Sequence, residues 1–474
     1  MMLALPVLPD SLSAQASKQV SVTLTDFPVT LNGISIDNTY RQYPLFVYQG
    51  ITYFPMTYYD NRFLGLETNW SPESGLVIDQ TGVTAAYREG RGSAKNSKTL
   101  KAAVRTGEVK LNGKTVSADQ GKYPFLSFRN ITYFPLTWNY AVDEFGWAYA
   151  FDNKQGLVVH SSNPQVERLP VQGSTQYAYV VAGGYHYYQD EQGRILQAPI
   201  DQPKLTKELY QLPVWSYGDG KSYVKASLSY VEGIVTLTYY QGGATMGSEH
   251  VLELNAQAAF EEVDSGKFII RKFGNTTIKA DMWVPPEPGN LYVKEGDQDY
   301  RPVGDPAYLY GWNWTVENGS NGGSASSDPY LADGKIYVQA FLEGGDKNYS
   351  RVHSVDLTTN ETTSVSDRRV QHCAVNGSFI YLVSEDKMYR IPLNGGPEEP
   401  MPMDGKISWI RAEGGYLICT FVKGDTTPYG MIVMNETGTV VFKTSDQVAG
   451  VSIRQDELIY MESASNNIYI AHLG

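Results

Sequence analysis

The sequence has few cysteines, few histidines and no long apolar run. Two cysteines in 474 residues, Cys373 and Cys419, are too few for a disulfide framework. The six histidines include no pair at spacing i, i+2 or i, i+4, the spacing by which neighbouring imidazoles share a metal ion. No segment has the length of apolar sequence that a transmembrane helix requires. We therefore expect no metal ion, no cofactor and no membrane span.

The sequence also lacks the short motifs of several enzyme classes. It contains no Gly-x-Ser-x-Gly, no His-Glu-x-x-His, no phosphate loop and no dinucleotide fingerprint. Glu261 and Glu262 are adjacent, and neighbouring side chains on a strand point to opposite faces, so they do not form a catalytic pair. We expect no catalytic residues and a protein that is not an enzyme.

Positive charge is scarce as well. Lys and Arg number 38 against 51 Asp and Glu, for a net charge of −13. The only short basic cluster comprises Arg88, Arg91, Lys95 and Lys98. Most of this surface would repel a polyanion such as nucleic acid, which we exclude as a partner.

The abundant residue types are those typical of short strands joined by turns. The chain has 35 Tyr, 45 Gly and 24 Pro. Tyrosine suits a half-buried pleat, whereas glycine and proline fix turn dihedrals. This mixture predicts a mainly β protein with few long helices, and the length predicts two or more domains.

The first third of the chain contains an internal repeat. Val29-Thr-Leu-Asn-Gly33 returns 80 positions later as Val109-Lys-Leu-Asn-Gly113. Ile51-Thr-Tyr-Phe-Pro55 returns at the same offset as Ile131-Thr-Tyr-Phe-Pro135. After one inserted residue the copies realign, so that Trp70 matches Phe151. Such duplication is typical of binding or structural modules.

Each copy predicts a β-hairpin followed by a short helix. The hairpins turn at Gln49-Gly50 and at Arg129-Asn130. The helices are predicted over 56–64 and 136–145, and Gly65 and Gly146 end them.

These residues resemble the copper amine oxidase N-terminal-like domains, which occur as tandem stalk modules on exported proteins of Gram-positive bacteria. The resemblance rests on the Leu-Asn-Gly strand, the Ile-Thr-Tyr-Phe-Pro step, the glycine stop and the segment Trp70-Ser-Pro-Glu-Ser-Gly-Leu-Val-Ile78. It implies two small α+β repeats, at 18–90 and 98–162. It does not imply copper chemistry, because no Asn-Tyr-Asp/Glu segment is present.

Residues 1–17 are interpreted as the remnant of a signal peptide or a disordered N-terminus. An apolar stretch precedes Ser13-Ala-Gln-Ala-Ser17, which fits an Ala-x-Ala cleavage site. We therefore expect the protein to be secreted or associated with the cell envelope.

From 170 to 474 a looser period predicts a β-propeller. A turn glycine or acid leads into a Tyr-rich strand near Gly184, Gly233, Gly334, Gly377, Gly415 and Asp456, with Gly274 as a degenerate seventh member. The mean spacing, about 45 residues, is that of propeller blades. Six or seven blades are possible, and a strand near 169–181 is predicted to complete the last one.

The segment from Gly377 to Gly396 resembles bacterial propeller domains of the low-density-lipoprotein-receptor type, many of unknown function. The resemblance implies a propeller fold rather than a particular function.

Tyr308, Tyr310, Trp312 and Trp314 are the candidate ligand-binding residues. They occupy every second position, so on a single strand their rings would share one face beside a polar loop. The competing interpretation, favoured by the way propeller cores are filled, is that this face packs between blades.

These patterns lead to a functional hypothesis with two alternatives. We expect an exported, non-catalytic binding or scaffolding protein of the bacterial cell envelope that recognises a glycan, a wall polymer or a protein. One alternative is a glycan hydrolase or lyase with acids in the propeller funnel. The other is a sensor or partner subunit of an envelope assembly. Oligomeric state stays open.

Overall fold

The computed structural model describes a mainly β protein that divides into two compact units at Gln165 and Val166. No helix within the described residues is both long and apolar enough to cross a membrane. The residues described are 18–71, 73–214, 222–231, 233–242, 247–266, 268–281, 291–314, 324–326, 328–342, 351–424 and 427–473.

The N-terminal unit, residues 18–165, contains fourteen described strands, one α-helix and one π-helical turn, Asn139–Glu144. The helix and strands are β1 Gln19–Leu24, β2 Val29–Leu31, β3 Ile34–Ser35, β4 Phe46–Tyr48, β5 Ile51–Pro55, α1 Tyr58–Phe63, β6 Leu66–Ser71, β7 Gly75–Gln80, β8 Thr99–Val104, β9 Glu108–Leu111, β10 Lys114–Ser117, β11 Leu126–Phe128, β12 Ile131–Pro135, β13 Ala148–Asp152 and β14 Gly156–His160.

Six of these strands form a closed barrel to which both copies contribute, in the order β1-β4-β5-β12-β11-β8. Equivalent strands pair with each other: β5 with β12, where Phe54 lies opposite Phe134, and β1 with β8, where Ser21 lies opposite Lys101. Each of these pairs joins positions 80 residues apart, so the barrel has an internal pseudo-two-fold symmetry. A closed barrel leaves no exposed sheet edge.

The two copies also exchange strands outside the barrel. β7 of the first copy pairs in parallel with β9 of the second, and β14 of the second pairs in parallel with β2 of the first. The resulting sheets have the orders β10-β9-β7-β6 and β13-β14-β2-β3. Neither copy completes a sheet from its own strands, so the copies form one interleaved unit.

The hairpins and helices lie within the ranges that the sequence predicts. Gln49 and Gly50, and Arg129 and Asn130, all have positive φ, as a two-residue type I′ turn requires. α1 begins after Thr57, whose hydroxyl accepts a hydrogen bond from the backbone N–H of Asp60 at 3.2 Å.

The two helical segments differ in their buried groups. In the first copy the Asp60 carboxylate is buried, pairs with Arg41 and accepts a hydrogen bond from the Thr57 hydroxyl at 2.7 Å. The equivalent residue of the second copy is Tyr140, whose ring packs 5.0 Å from that of Phe134. One copy therefore holds its helix with an ion pair and the other with an aromatic contact.

The C-terminal unit begins with β15 Val166–Gln172 and contains seven antiparallel sheets of four or more strands among its described residues. Sheet 1 has β16 Tyr179–Ala182, β17 Tyr185–Gln189, β18 Arg194–Pro199 and β19 Lys207–Gln211; sheet 2 has β20 Ala226–Val231, β21 Ile234–Gln241, β22 Ser248–Leu254 and β23 Phe260–Gly266; sheet 3 has β24 Phe268–Phe273, β25 Thr276–Asp281, β26 Leu291–Glu295 and β27 Arg301–Val303.

The remaining sheets follow in chain order. Sheet 4 has β28 Tyr308–Tyr310, β31 Tyr330–Ala332, β32 Lys335–Leu342, β33 Arg351–Asp356 and β34 Thr362–Ser364, and between its first two strands β29 Trp312–Trp314 pairs with β30 Ser324–Ser326. Sheet 5 has β35 His372–Asn376, β36 Phe379–Ser384, β37 Lys387–Pro392 and β38 Glu399–Met401; sheet 6 has β39 Ile407–Glu413, β40 Tyr416–Phe421, β41 Met431–Met434 and β42 Val440–Thr444; sheet 7 has β43 Val448–Arg454, β44 Glu457–Glu462, β45 Asn467–His472 and β15.

Successive sheets contact each other around the whole unit. Apolar clusters join sheet 1 to sheet 2, sheet 3 to sheet 4, sheets 4, 5 and 6 together, and sheet 7 to sheet 1. An ion pair between Lys272 and Glu253 joins sheets 2 and 3. The Glu413 carboxylate accepts a hydrogen bond from the backbone N–H of Ile453 at 3.2 Å and joins sheets 6 and 7. The contacts form a closed, propeller-like circuit.

The circuit closes through a strand from its beginning. β15 pairs antiparallel with β45, with Val166 opposite Ala471. The strand predicted to complete the last sheet is therefore present, and it lies slightly earlier than predicted. Val171 of this strand packs with Val181, Ile459 and Ile468, which joins the last sheet to the first.

Two glutamines repeat one contact between neighbouring sheets. Gln189 lies in β17 of sheet 1 and Gln339 in β32 of sheet 4, and both are buried. Their side-chain amides donate to the carbonyl oxygens of Val224 at 3.2 Å and Val370 at 2.7 Å, each just before the next sheet. Buried amides require such partners, so each glutamine fixes the spacing of two sheets.

Candidate functional site

The four aromatic residues predicted from sequence do not lie on one continuous strand. Tyr308 and Tyr310 lie on β28, which pairs with β32, whereas Trp312 and Trp314 lie on β29, which pairs with β30. Gly311 separates the two strands with a φ of +79°, a conformation that side chains other than glycine rarely adopt. The alternation that placed all four rings on one face is therefore interrupted.

The two tyrosines take part in packing between sheets. Tyr310 is 1% exposed, and its hydroxyl lies 2.8 Å from that of Thr362 and donates to the carbonyl oxygen of Asp305 at 3.0 Å. The Tyr308 ring is half-buried and lies 4.8 Å from the His353 ring. The side chains of Trp312 and Trp314 lie outside the described residues. Ligand binding by these four residues stays a prediction.

The Leu-Asn-Gly motif has a structural task in both copies. Asn32 and Asn112 both have a φ of +47° and open the turn before Gly33 and Gly113. The Asn32 side-chain oxygen accepts the backbone N–H of Ser161 in the other copy at 2.8 Å, and that of Asn112 accepts the backbone N–H of Gln80 at 2.9 Å. The motif therefore locks the exchanged strands together.

Large aromatic side chains are exposed at equivalent positions of both copies. Tyr58 is 56% exposed and its equivalent Trp138 is 60% exposed; both precede or begin the short helix. Trp70 on β6 is 66% exposed and its equivalent Phe151 on β13 is 54% exposed. Aromatic rings left in water at repeated positions indicate a binding surface, because stacking on a ligand would remove them from water.

Three aromatic residues of the second copy and Phe27 of the first form an aromatic strip. The Trp138 ring lies 6.4 Å from the Tyr149 ring in an edge-to-face arrangement. Tyr149 and Phe151 alternate along β13 and so share one face of the strand. The Phe151 ring in turn lies 5.1 Å from that of Phe27. We call Trp138, Tyr149, Phe151 and Phe27 the aromatic strip.

The strip contacts the apolar core of the N-terminal unit through Tyr149. Tyr149 is half-buried against the apolar core of the unit, and desolvation raises the pKa of its phenol. The strip follows β13, which is the terminal strand of its sheet. A row of partly exposed rings along the edge of a sheet can contact a chain of sugar rings or an extended peptide.

In the first copy the equivalent surface carries cations beside its rings. The Tyr58 and Tyr59 rings lie 5.3 Å apart. The Arg88 guanidinium lies 4.4 Å from the centre of the Tyr59 ring, and that of Arg62 lies 5.7 Å from the centre of the Tyr58 ring. Around the equivalent positions Tyr58 and Trp138 the first copy thus has arginines, of which Arg62 is 4% exposed and paired with Glu67 at 3.1 Å, whereas the second copy has further rings.

Charge is divided unequally between the two units. Residues 18–165 have 14 Lys and Arg against 12 Asp and Glu, a net charge of +2. Residues 166–474 have 24 Lys and Arg against 38 Asp and Glu, a net charge of −14. The overall negative charge therefore belongs to the C-terminal unit, and the exclusion of polyanions does not extend to the N-terminal one.

The structure gives no metal or thiol centre to these surfaces. Among the described residues, no group of three or more His, Cys, Asp or Glu side chains is close enough to hold a metal ion. Cys373 and Cys419 are buried in one apolar cluster, and burial raises the pKa of the Cys419 thiol. A thiol held protonated in this way is a packing group rather than a nucleophile.

Sequence reasoning missed the exposed positions although it had aligned Trp70 with Phe151. The signal available was the same in both copies: a large aromatic residue where the surrounding pattern requires a polar one. The motifs that the two copies share, such as Leu-Asn-Gly, instead contain residues that hold the interleaved fold together.

Comparisons with known proteins show a similarity of structure only. No family model and no curated protein matches the chain. The solved structures that resemble it include the computationally designed Ika8 protein, at 12% identity over 65% of this chain and 100% of the other, with a TM-score of 0.37. BamB from Moraxella catarrhalis is 11% identical over 61% of this chain and 82% of its own, with a TM-score of 0.35. The extracellular domain of a putative one-component system from B. thetaiotaomicron is 10% identical, covers 91% of this chain and 58% of its own, and has a TM-score of 0.39. At these TM-scores the fold assignment depends on the sheets and their contacts in this chain.

Proposed function

We propose that this protein is an exported, non-catalytic binding or scaffolding protein whose N-terminal unit holds a ligand on exposed aromatic side chains. The observation that carries the proposal is the repetition of exposed rings at equivalent positions, Tyr58 with Trp138 and Trp70 with Phe151. Exposed rings on regular strands form a surface that loses little conformational entropy on binding. The export pattern at 13–17 and the resemblance of the repeats to stalk modules support an envelope location.

The proposal includes the architecture of the C-terminal unit as a seven-bladed propeller. Its support is the closed circuit of seven sheets and the spacing of the glycine-led strands, each of which falls in a different sheet. A propeller of this kind would present its loops as a second recognition surface. Of the four aromatic residues predicted from the sequence, Tyr308, Trp312 and Trp314 are the proposed contributors there, whereas Tyr310 is 1% exposed and belongs to the core.

The decisive experiment is a binding screen with cell-wall fragments, neutral glycans and envelope proteins against Trp138→Ala and Phe151→Ala. We expect each variant to bind the ligand of the aromatic strip about tenfold more weakly, since a central aromatic anchor contributes that much or more. Tyr185→Ala, an exposed tyrosine of the C-terminal unit, is the matched control and should bind as the unchanged protein does.

Two outcomes would contradict the proposal. Unchanged binding in both strip variants would remove the aromatic strip as the site. Recovery of cleaved rather than intact ligand after long incubation would favour the hydrolase or lyase alternative instead. Trp312→Ala and Trp314→Ala belong in the same screen, because a loss of binding there would assign the ligand to the C-terminal unit.

A further inference from the structure

Strand β13 forms an open edge of its sheet. It is the terminal strand in the order β13-β14-β2-β3, and it pairs with β14 along its whole length without a bulge. Every residue of β13 is exposed except the half-buried Tyr149. Edge strands in folded proteins are usually protected by lysine, proline or a bulge. Ala148–Asp152 contains none of these, so its edge is free to accept a further strand.

Hydrogen bonds made by β14 fix the direction of its backbone groups. The backbone N–H of Leu157 donates to the carbonyl oxygen of Pro28 at 2.9 Å. The carbonyl oxygen of Val159 accepts the backbone N–H of Asn32 at 2.8 Å. Leu157 and Val159 therefore direct their backbone groups towards β2, which lies on the side of β14 away from β13.

The backbone groups of Tyr149 and Phe151 consequently point to the open side. Alternate residues of a strand direct N–H and C=O to opposite sides, so Val158 directs its groups towards β13, where it lies opposite Ala150. Tyr149 and Phe151 flank Ala150 and direct their groups the other way. No described residue of the chain supplies a hydrogen bond to them there. The edge thus presents an N–H and a C=O at each of two alternate residues.

This edge is complementary to itself. An antiparallel strand that places Ala150 opposite Ala150 of a second copy also sets Tyr149 opposite Phe151, and Phe151 opposite Tyr149. Residues that face each other in this way exchange both of their backbone hydrogen bonds, so the two pairs form about four. Each pair also brings a tyrosine ring beside a phenylalanine ring, and aromatic pairs of this kind stabilise neighbouring strands.

The charges at the edge fit the same register. Asp152 falls opposite Ala148 of the second copy, so no like charges meet across the two strands. The edge belongs to the N-terminal unit, whose net charge is +2. This charge opposes association of two copies far less than the −14 of the C-terminal unit would.

We propose that β13 pairs antiparallel with β13 of a second copy of this chain, with Ala150 at the two-fold axis. The two sheets become one, in the order β3-β2-β14-β13-β13-β14-β2-β3. The same patch is used on both copies, so association through this edge stops at a dimer. The axis is perpendicular to the sheet, and the aromatic strips of both copies lie on one face. The inference goes beyond the proposed ligand binding and does not depend on it.

The test measures the mass of the full chain in solution by sedimentation velocity over a series of concentrations. We expect a dimer with twice the chain mass of 52.6 kDa. Ala150→Lys sets two lysines directly opposite each other, and like charges in that position repel, so the dissociation constant should rise about tenfold. Ala150→Glu should act in the same way. An equal mixture of these two variants should form a mixed dimer, because opposite charges then meet.

Position 148 provides the matched control on the same face of β13. Ala148 is exposed, as Ala150 is, and lies opposite Asp152 of the second copy in the proposed register. Ala148→Lys should therefore tighten the dimer, whereas Ala148→Glu should weaken it about tenfold. A variant that failed to fold could form no mixed dimer, so association in the mixture also shows that both Ala150 variants are folded.

Four outcomes would overturn the inference. A chain that stays monomeric at every concentration would leave the edge to a strand of a different protein. A dimer unaffected by Ala150→Lys would use another surface, and so would a pair of Ala150 variants that do not associate when mixed. Equal weakening by Ala148→Lys and Ala150→Lys would exclude the register. Ala150→Lys keeps every ring of the aromatic strip, so a monomeric variant that still binds ligand would separate this inference from the proposed function.

Discussion

The two units of this protein complete their sheets in different ways. The N-terminal unit interleaves its two copies, so that β7 and β14 each complete a sheet begun by the other copy. The C-terminal unit adds sheets one after another, and among its described strands the pairing of β15 with β45 joins the last sheet to the beginning of the unit. Repetition of sequence therefore produces one cooperative unit in the first case and a series of locally formed sheets in the second.

The largest expected effect tests the interleaving. Phe54→Ala removes a side chain that is 1% exposed and lies opposite its own equivalent, Phe134, in the barrel. We expect a loss of about 3–5 kcal/mol in the free energy of unfolding of the N-terminal unit, from lost burial plus a cavity. Hydrogen exchange followed peptide by peptide should show both copies destabilised together.

The exposed Phe151 provides the control for that experiment. Phe151→Ala should lower the free energy of unfolding by less than about 1.5 kcal/mol, since the side chain is 54% exposed and loses one edge-to-face contact, with Phe27. Destabilisation by Phe54→Ala confined to residues 18–90 would show that the copies are independent and would break the comparison.

The next largest expected effect is a loss of stability at acidic pH in the C-terminal unit. His186 is buried in sheet 1 beside the rings of Tyr179 and Tyr188, and desolvation lowers its pKa from 6.5 to about 4. The unfolded chain therefore binds a proton between pH 6.5 and 4 that the folded unit does not. Stability is lost as the pH falls through this window, by about 3 kcal/mol for such a shift.

His353 and His372, also in the C-terminal unit, have pKa values that desolvation lowers, and they add to the same loss. Denaturant unfolding of the C-terminal unit at pH 7, 5.5 and 4 measures it. His186→Gln should make the unit's stability less dependent on pH. If the free energy of unfolding of this variant changed with pH as steeply as that of the unchanged protein, the pH dependence would not come from His186.

The smallest effect concerns the contact between neighbouring sheets. Gln339→Ala leaves the Val370 carbonyl without its donor, and we expect a loss of about 1–3 kcal/mol confined to the C-terminal unit. Gln189→Ala should lose more, because the Gln189 amide donates to the Val224 carbonyl at 3.2 Å and its oxygen also accepts the backbone N–H of Ala226 at 3.3 Å, so two backbone groups lose their partner. The urea concentration at the midpoint of unfolding, measured for both variants, shows which of them loses more stability.

Local chemistry in the sequence predicted local structure well. The positive φ of Gln49 and Gly50 and the glycine-led strands follow from turn preferences that act over a few residues. The parallel pairing of Val29 with Leu157 does not, because it depends on which distant strands meet. The same limit applies to the candidate site. The aromatic residues do alternate over Tyr308–Trp314, but the positive φ of Gly311 divides the segment into two strands, so the alternation does not place the four rings on one face.

Covalent joining of the two copies has freed them to diverge. If a barrel of this kind were assembled from two identical chains, every substitution would occur twice, and a buried aspartate at position 60 would have to be accommodated on both sides of the symmetry axis. In one continuous chain, Asp60 can keep its arginine partner while the matching place is filled by Tyr140. The same freedom places three of the four rings of the aromatic strip in one copy and tyrosines beside arginines in the other, so a single duplicated shape offers two unlike surfaces.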